Sequence, residues 1–312
     1  MALLSFTRRD PAPTPAATAR FLRDYSLEVM PRTAAKVADF RPLVRPGTRV
    51  YIAHIAGTPI AEMVATARRL ADEGYAVMPH FPARIIPNAA ALADWIARYQ
   101  GEAGVREALV IGGGVSEPHG EFDNSMQLLE TGLFDRAGFT RIHVGGHPEG
   151  NRDIDPDGGE RAVMEALRLK QDFSERTDAE MAIVTQFAFE AAPIIAWADR
   201  LKREGVDLPI HVGVAGPAKL QTMIKFAIAC GVGPSMRVLQ RRARDVSKLV
   251  KPFEPDDLIG ALAAHKVADP SFQVEKVHVF PLGGIRASAD WAARLLSGAP
   301  ATAEAAPEAA AR

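Results

Sequence analysis

Eight short runs of β-branched or aromatic residues recur along this chain, and they constrain its fold more than any other feature. Each run is bounded by Gly, Pro or polar residues, which is typical of β-strands. The runs span residues 25–29, 49–55, 75–81, 107–114, 141–146, 181–187, 209–216 and 276–284. The segments between them show helical periodicity. One stripe in residues 60–74 holds Ile60, Met63, Val64, Ala67 and Leu70, and one in residues 122–134 holds Phe122, Met126, Leu129 and Leu133.

Strands that alternate with helices indicate a parallel sheet covered by its crossover helices. Eight such units in a chain of 312 residues predict a (β/α)8 TIM barrel with eight parallel strands. The alternative is an open, doubly wound sheet. We expect a flexible N-terminal leader over residues 1–20, a single catalytic barrel over residues 21–297, and a disordered Ala/Pro/Glu tail over residues 298–312.

Charge and cysteine content exclude several classes of function. A net charge of -1 gives no overall basic surface for nucleic acid or for an anionic membrane, which leaves only a local basic patch as an alternative. The single cysteine, Cys230, lies in an apolar run, where we expect it to be buried, and it excludes a disulfide framework. The N-terminus does not resemble a secretory signal, and no run approaches the roughly 18 apolar residues of a membrane span. These features predict a cytoplasmic protein, and they are compatible with a homo-oligomer.

Polar residues and glycines follow several of the predicted strands. In a (β/α)8 barrel these positions converge on one mouth, where reactive groups lie. They are Glu28, His54, His80, Gly112, Gly113, Gly114, His147, Glu149, Asn151, Gln186, Gly283 and Gly284.

Several common site motifs are missing from the sequence. "VIGGGVSEPHG" has neither the glycine spacing of a dinucleotide fold nor the Gly-Lys-Ser/Thr of a P-loop, and no Gly-x-Ser-x-Gly elbow occurs. His143 and His147 lack a His-Glu-x-x-His helix or a cysteine cluster, so we expect no metal site. His143, in the middle of a strand, is expected to pack in the core.

Several stretches, in order along the chain, resemble the flavin-dependent methylenetetrahydrofolate reductases, which are (β/α)8 barrels. "YSLEVMPRT" resembles the first strand of that family, "VMPHF" the third and "GGHPEGN" the turn after the fifth. "VTQFAFE" resembles the sixth strand, "PIHVGVAGPAKLQTMIKFA" the seventh with its helix, and "VHVFPLGG" the last strand. The resemblance covers about residues 21–295 and identifies the chain as similar to a divergent member.

The resemblance implies an enzyme that interconverts 5,10-methylenetetrahydrofolate and 5-methyltetrahydrofolate by hydride transfer at flavin N5. Glu28 matches the catalytic glutamate, a general acid that also binds the folate, while Gln186 matches a pterin-binding amide and Phe226 an aromatic that packs on the folate. From the residues alone, burial in the barrel mouth should raise the pKa of Glu28, which suits an acid. The alternative for Glu28 is an ion pair with a base such as Arg32.

The resemblance also implies FAD as cofactor and NADH or NADPH as electron donor. The FAD contacts carried over by position are His80, Gly113, Gly114, Phe122, His147, Asn151 and Lys170.

The chain departs from the family at the fourth and eighth strands. The family's Arg-Gly-Asp is here Gly112, Gly113 and Gly114, so the carboxylate near flavin N1 is missing. Coulomb's law then predicts a more stable anionic reduced flavin, which favours the oxidation of 5-methyltetrahydrofolate. Glu117 is one candidate to replace the carboxylate. Gly283 and Gly284 replace the family's Asn-Arg, a change that bears on pyridine nucleotide use.

Two other functions fit the same residues. One is a folate- or corrinoid-linked methyltransferase barrel without flavin. The other is a non-catalytic barrel that binds a partner through charged helices such as residues 237–251, although that segment also fits a solvated amphipathic helix.

Overall fold

Eight parallel strands form a closed barrel in the computed structural model, which describes residues 12–229 and 252–298. The strands are β1 (Ser26–Val29), β2 (Arg49–Ile52), β3 (Ala76–Pro82), β4 (Glu107–Ile111), β5 (Arg141–Gly146), β6 (Glu180–Ala188), β7 (Ile210–Ala215) and β8 (Val274–Phe280). Each strand pairs with the next one along the chain, and β1 also pairs with β8, with Ser26 opposite His278. This closure confirms the (β/α)8 barrel and excludes the open sheet.

Helices connect the strands on the outside of the barrel. In the described ranges they are α1 (Pro15–Leu22), α2 (Pro31–Ala34), α3 (Ile60–Asp72), α4 (Ala89–Ala103), α5 (Ser125–Glu130), α6 (Leu133–Arg136), α7 (Arg161–Ser174), α8 (Ala191–Arg203), α9 (Leu220–Ala229), α10 (Asp256–Ala268) and α11 (Ile285–Leu296). The stripe predicted on α3 faces the barrel, since Met63, Val64, Ala67 and Leu70 are all buried.

The single helix predicted over residues 122–134 is wrong. The segment forms α5 and α6 instead, because Gly132 between them has a left-handed φ of 64°. Asn124 caps α5 and accepts hydrogen bonds from the backbone N–H groups of Met126 and Gln127. Phe122 therefore precedes the helix and does not share its stripe.

The flexible leader predicted over residues 1–20 overlaps an ordered helix. In α1, Thr14 caps the first turn, Pro15 starts the helix, and Thr18 and Leu22 are buried. The helix packs against α10 and α11, so the chain joins the barrel layer by residue 15. The polar and proline-rich composition of residues 10–18 hid this N-cap signal.

Some predictions fall outside the described residues. They concern residues 1–11, Cys230, the basic segment 237–251 and the tail from residue 299 onwards. Within residues 12–229 and 252–298, none of the helices combines the length and the apolar character needed to cross a membrane.

The core has one layer between barrel and helices and a smaller one inside the barrel. The inner layer contains Tyr51, Met78, Leu109 and Val184, packed against Ile111. A third cluster, which includes Phe187, Phe189 and Phe253, lies where β6 and β7 meet the loops beyond them.

Gly146, at the end of β5, leaves no room for a side chain. A Cβ atom there would lie 2.3 Å from Ile183 Cγ2 and 3.1 Å from the Trp197 ring. Because Ile183 and Trp197 are both buried, we expect Gly146→Ala to lower the free energy of unfolding by about 1–3 kcal/mol, measured by urea unfolding.

Gly101→Ala is the matched control for that measurement. Gly101 lies within α4, and a Cβ atom there would have no other atom within 4 Å. Higher helix propensity should raise stability by up to about 1 kcal/mol. Equal effects of the two substitutions would contradict the packing described for Gly146.

Candidate functional site

A cavity of about 2480 Å³ opens at the carboxyl ends of the strands. Pockets for one small ligand usually span about 300–1,000 Å³, so this cavity has room for two. It brings together nine of the ten site residues that the sequence predicted. They are Glu28, His80, Gly113, Gly114, His147, Asn151, Lys170, Gln186 and Phe226.

Phe122, the tenth, does not line the cavity. Its side chain is buried in the core between barrel and helices. The neighbouring residues from Asp123 to Gln127 face the cavity instead, because α5 begins only at Ser125. The prediction that Phe122 contacts the cofactor therefore has no support from its position.

Glu28 lies between two histidines at the floor of the cavity. Its Oε2 is 3.3 Å from His80 Nε2 on β3 and 3.5 Å from His278 Nε2 on β8. The Oγ of Ser26 lies 2.9 Å from His278 Nδ1. If Ser26 donates this hydrogen bond, the proton of the neutral imidazole is on Nε2 and points at the carboxylate.

The two histidines reverse the effect of burial on Glu28. Burial alone would raise its pKa, but the contacts with His278 and His80 outweigh burial and lower the pKa to about 2. The predicted raised pKa is therefore wrong, and Glu28 is ionised at neutral pH. Arg32 is exposed and forms no ion pair with Glu28, so the carboxylate depends on histidine contacts instead.

Below Glu28, the barrel interior holds more polar rings. Tyr51 Oη lies 2.5 Å from His143 Nδ1, and the rings of His143 and His211 meet edge to face at 4.6 Å. Burial lowers the pKa of His143 well below its ordinary value and lowers that of His211 to about 3. His143 thus packs in the core, as the sequence predicted, and both rings are neutral.

The turn after β5 carries His147 and Asn151 against a buried lysine. Lys170 on α7 donates from Nζ to the carbonyl oxygen of Gly145 at 2.8 Å, and burial lowers its pKa to about 8. Burial, together with the charge of Lys170, lowers the pKa of His147 to about 4. Asn151 Nδ2 lies 3.3 Å from His147 Nδ1, so the turn forms one polar wall beside the cation.

Gln186 on β6 and Phe226 on α9 follow next around the cavity wall. The side-chain Oε1 of Gln186 accepts a hydrogen bond from the Phe187 backbone N–H at 3.1 Å, which fixes the amide plane. Phe226 on α9 packs against the cluster of Phe187 and Phe253 while reaching the cavity.

Of the glycines after β4, Gly113 packs closely on Pro82 and Gly114 borders open space at the cavity wall. Gly113 has a φ of 103°, and a Cβ there would lie 3.1 Å from Pro82 Cβ. Gly114 has no atom within 4 Å of a Cβ position. Glu117, the predicted replacement for the missing carboxylate, is exposed and is not among the residues that line the cavity.

Two site residues were missed by the sequence reasoning. Arg84 joins three loops, since its Nη1 donates to Val115 O at 3.1 Å and to Asp153 at 2.6 Å while its Nε donates to Asp123 at 3.0 Å. His278 contacts Glu28 only because β8 closes on β1. His278, the histidine of "VHVF", could have been recognised as a site residue from its place on the last predicted strand. No local sequence pattern distinguished Arg84.

His54, which the sequence placed at the end of β2, stacks on Trp95 of α4 at 4.7 Å between ring centroids. Its Nε2 lies 2.9 Å from the Thr58 carbonyl oxygen, and its ring lines the cavity. Across the described ranges, no group of three or more His, Cys, Asp or Glu residues has the geometry of a metal site.

The fold and cavity define a (β/α)8 barrel with a large site of mixed polar and apolar lining at its mouth. No family model matches the chain. Among solved structures, it is similar to an uncharacterised protein from Clostridium thermocellum that is described as binding two copies of 5-methyl-5,6,7,8-tetrahydrofolic acid. The identity is 10% and the TM-score 0.55, over 90% of this chain and 98% of that chain. At this identity the likeness establishes the fold alone.

The buried neutral histidines make stability depend on pH. His211 keeps a pKa of about 3 when folded, against 6.5 as its ordinary value. The unfolded chain therefore binds a proton as pH falls through 6.5, and stability is lost from there downward. Between pH 7.5 and 5.5, we expect His211 to account for about 1 kcal/mol of the loss in unfolding free energy.

The measurement is urea unfolding of the wild type and His211→Gln at both pH values. On acidification, the unfolding free energy of His211→Gln should fall by less than that of the wild type, and the difference should equal the contribution of His211. This holds whatever the stability of the variant at pH 7.5. The exposed His119→Gln is the control and should leave the difference unchanged. An identical pH dependence in wild type and His211→Gln would show that His211 is not held neutral.

Proposed function

We propose that this barrel binds a reduced folate at its mouth and, with FAD, interconverts 5,10-methylenetetrahydrofolate and 5-methyltetrahydrofolate. One observation carries the proposal. An ionised Glu28 and the planar amide of Gln186 open into the same two-ligand cavity as the buried cation Lys170. The described binding of 5-methyltetrahydrofolate by the structural relative supports the choice of ligand.

The residues present suit FAD. Lys170 is a buried cation that forms no ion pair in the described ranges, so a ligand phosphate would neutralise it. Gly113 and Gly114 allow close approach to the backbone. In this proposal His80, Gly113, Gly114, His147, Asn151 and Lys170 hold the cofactor. Bound FAD would supply the two-electron chemistry.

The charge of Glu28 favours the oxidative direction. When the one-carbon unit of an oxidised methyl-folate closes onto N10, that nitrogen loses a proton. An ionised carboxylate at the floor of the cavity accepts this proton, whereas it cannot donate one from its resting state. Glu28 therefore acts as a general base in this proposal, and not as the acid that the sequence implied.

A second candidate is a folate-binding barrel without flavin, such as a methyltransferase. The open space at Gly114, where the resembling family has a carboxylate, favours it. So does the cavity volume of about 2480 Å³, because the structural relative is described as binding two folates.

Flavin uptake and bleaching distinguish the two candidates. The purified protein should bind FAD, and anaerobic addition of 5-methyltetrahydrofolate should bleach its visible absorbance. NADH and NADPH, added separately, identify the electron partner. Folate binding without any FAD binding would favour the second candidate, and binding of neither would contradict both.

Glu28→Gln tests the catalytic role. It should retain FAD and lose folate turnover by about 10²–10⁴-fold, because the amide cannot accept the proton. Formation of 5,10-methylenetetrahydrofolate over several turnovers, at several pH values, is the measurement. Glu62→Gln, on the outer helix α3, is the control and should behave as wild type. Unchanged turnover in Glu28→Gln would refute the base assignment.

Three exposed cations lie together at one side of the mouth. Arg32 and Lys36 follow β1 and Arg286 follows β8, which is the neighbour of β1. These three side chains line the cavity, are exposed and form no ion pair with other described residues. Across the mouth, Arg84 is neutralised by Asp123 and Asp153, and Arg152, which follows β5 and lines the cavity, is a single exposed cation that forms no ion pair with other described residues. The glutamyl carboxylates of a folate should therefore leave the cavity beside β1 and β8.

Removing the unpaired cations should weaken binding of an anionic tail. The double substitution Arg32→Gln and Lys36→Gln should raise the Kd of pentaglutamyl 5-methyltetrahydrofolate by about 2- to 30-fold, and less at high salt. Calorimetric titration measures the effect. Arg41→Gln is the control because Arg41 is already paired with Asp39. If the double variant raises the Kd no more than Arg41→Gln does, the glutamyl tail leaves the cavity elsewhere.

A further inference from the structure

The layer beneath Glu28 is unusually polar for a barrel interior. Branched apolar side chains normally fill such layers. Here Tyr51, His143, His211 and His278 occupy the interior, and each is at least nine-tenths buried. Burying polar groups is costly unless they hydrogen-bond, so a layer of this kind needs a reason beyond packing.

Tyr51 connects this layer to the site. It is the register partner of Glu28 on the neighbouring strand, so the two side chains enter the barrel side by side. The Tyr51 ring lies 4.4 Å from the His278 ring and 6.4 Å, edge to face, from the His80 ring. Tyr51 thus contacts both histidines that hold Glu28.

The Tyr51 hydroxyl is held by His143, deeper in the barrel interior than Glu28. It lies 2.5 Å from His143 Nδ1, and His211 packs edge-on against His143. Phenylalanine would fill the same space without this hydrogen bond. The hydroxyl of Tyr51 therefore fixes the orientation of the ring, in addition to the volume that the ring fills.

We propose that Tyr51 is a positioning residue, whose ring, anchored through its hydroxyl to His143, holds His278 and His80 against Glu28. Ser26 supplies the other restraint on His278, at Nδ1. If the Tyr51 ring moves, the imidazoles can turn away from the carboxylate. Burial then dominates, and Glu28 takes up a proton at a higher pH.

The charged and titratable groups around this pair come from several strands. Glu28 faces Ser26 on its own strand, Tyr51 from β2, His80 from β3 and His278 from β8. The more distant charges of Arg49, Glu107 and Arg141, at the amino ends of the strands, also affect the pKa of Tyr51. None of these distant groups contacts Glu28. Tyr51 also interacts with Ser26, which is bonded to His278, so a change at Tyr51 reaches Glu28 through the two histidines, directly or by way of Ser26.

The test uses the full-length protein without ligand, so that it does not depend on the proposed function. Long-range ¹H–¹⁵N spectra report the tautomer of His278, and the ¹³C carboxyl shift of Glu28 reports its ionisation. His278→Gln and Glu28→Gln assign the signals. The wild type should show one His278 tautomer, protonated on Nε2, and an ionised Glu28 down to the onset of acid unfolding.

We expect Tyr51→Leu to give a mixture of His278 tautomers and to raise the apparent pKa of Glu28 by about one unit, a tenfold change in its ionisation constant. Tyr51→Phe, which keeps the ring and loses the bond to His143, should show a smaller shift in the same direction. If Tyr51→Leu does not fold, Tyr51→Phe is the deciding variant. Spectra of Tyr51→Phe that are identical to those of the wild type would overturn the proposal.

Tyr99→Phe is the matched control. Tyr99 on α4 is fully buried against Phe81, and its hydroxyl has no hydrogen-bond partner among residues 12–229 and 252–298. Its loss should leave Glu28 and His278 unchanged, and an equal shift in this control would overturn the assignment to Tyr51. If the spectra respond as expected but the protein binds no folate, the positioning role stands and the proposed function fails.

Discussion

The pairing of β1 with β8 is the interaction on which the site depends. It closes the barrel and sets Ser26 opposite His278, residues that are 252 positions apart in the chain. Only this closure brings His278 beside Glu28, which His80 approaches from β3. A buried carboxylate without such partners would be strongly destabilising or would take up a proton. Barrel closure and the charge state of Glu28 are therefore linked.

The polar interior has consequences in two directions. Toward the mouth, the contacts with His278 and His80 keep Glu28 ionised, which leaves the carboxylate able to accept a proton. Toward the amino ends of the strands, His143 and His211 are held neutral by burial, which reduces stability in acid. An apolar layer would avoid this penalty but would leave nothing to orient the groups around the carboxylate.

The barrel fold alone does not assign chemistry, because many unrelated reactions occur on it. What narrows the choice is the wall of the cavity. A buried lysine stands beside the turn after β5, an orientated amide lies on the neighbouring strand β6, and three exposed unpaired cations lie together beside β1 and β8. This arrangement suits two anionic, planar ligands bound next to each other, which is why folate and flavin are proposed together.

The sequence by itself determined the eight strands, the barrel class and most of the residues around the mouth, because strand periodicity and strand ends are local properties of the chain. It failed at Phe122, where one glycine divides the predicted helix, and at residues 15–20, where an N-cap orders the supposed leader. It also gave Glu28 the wrong charge state. That charge depends on His80 and His278, which only the closed barrel brings to the carboxylate, and tertiary contacts of this kind leave no local pattern in the chain.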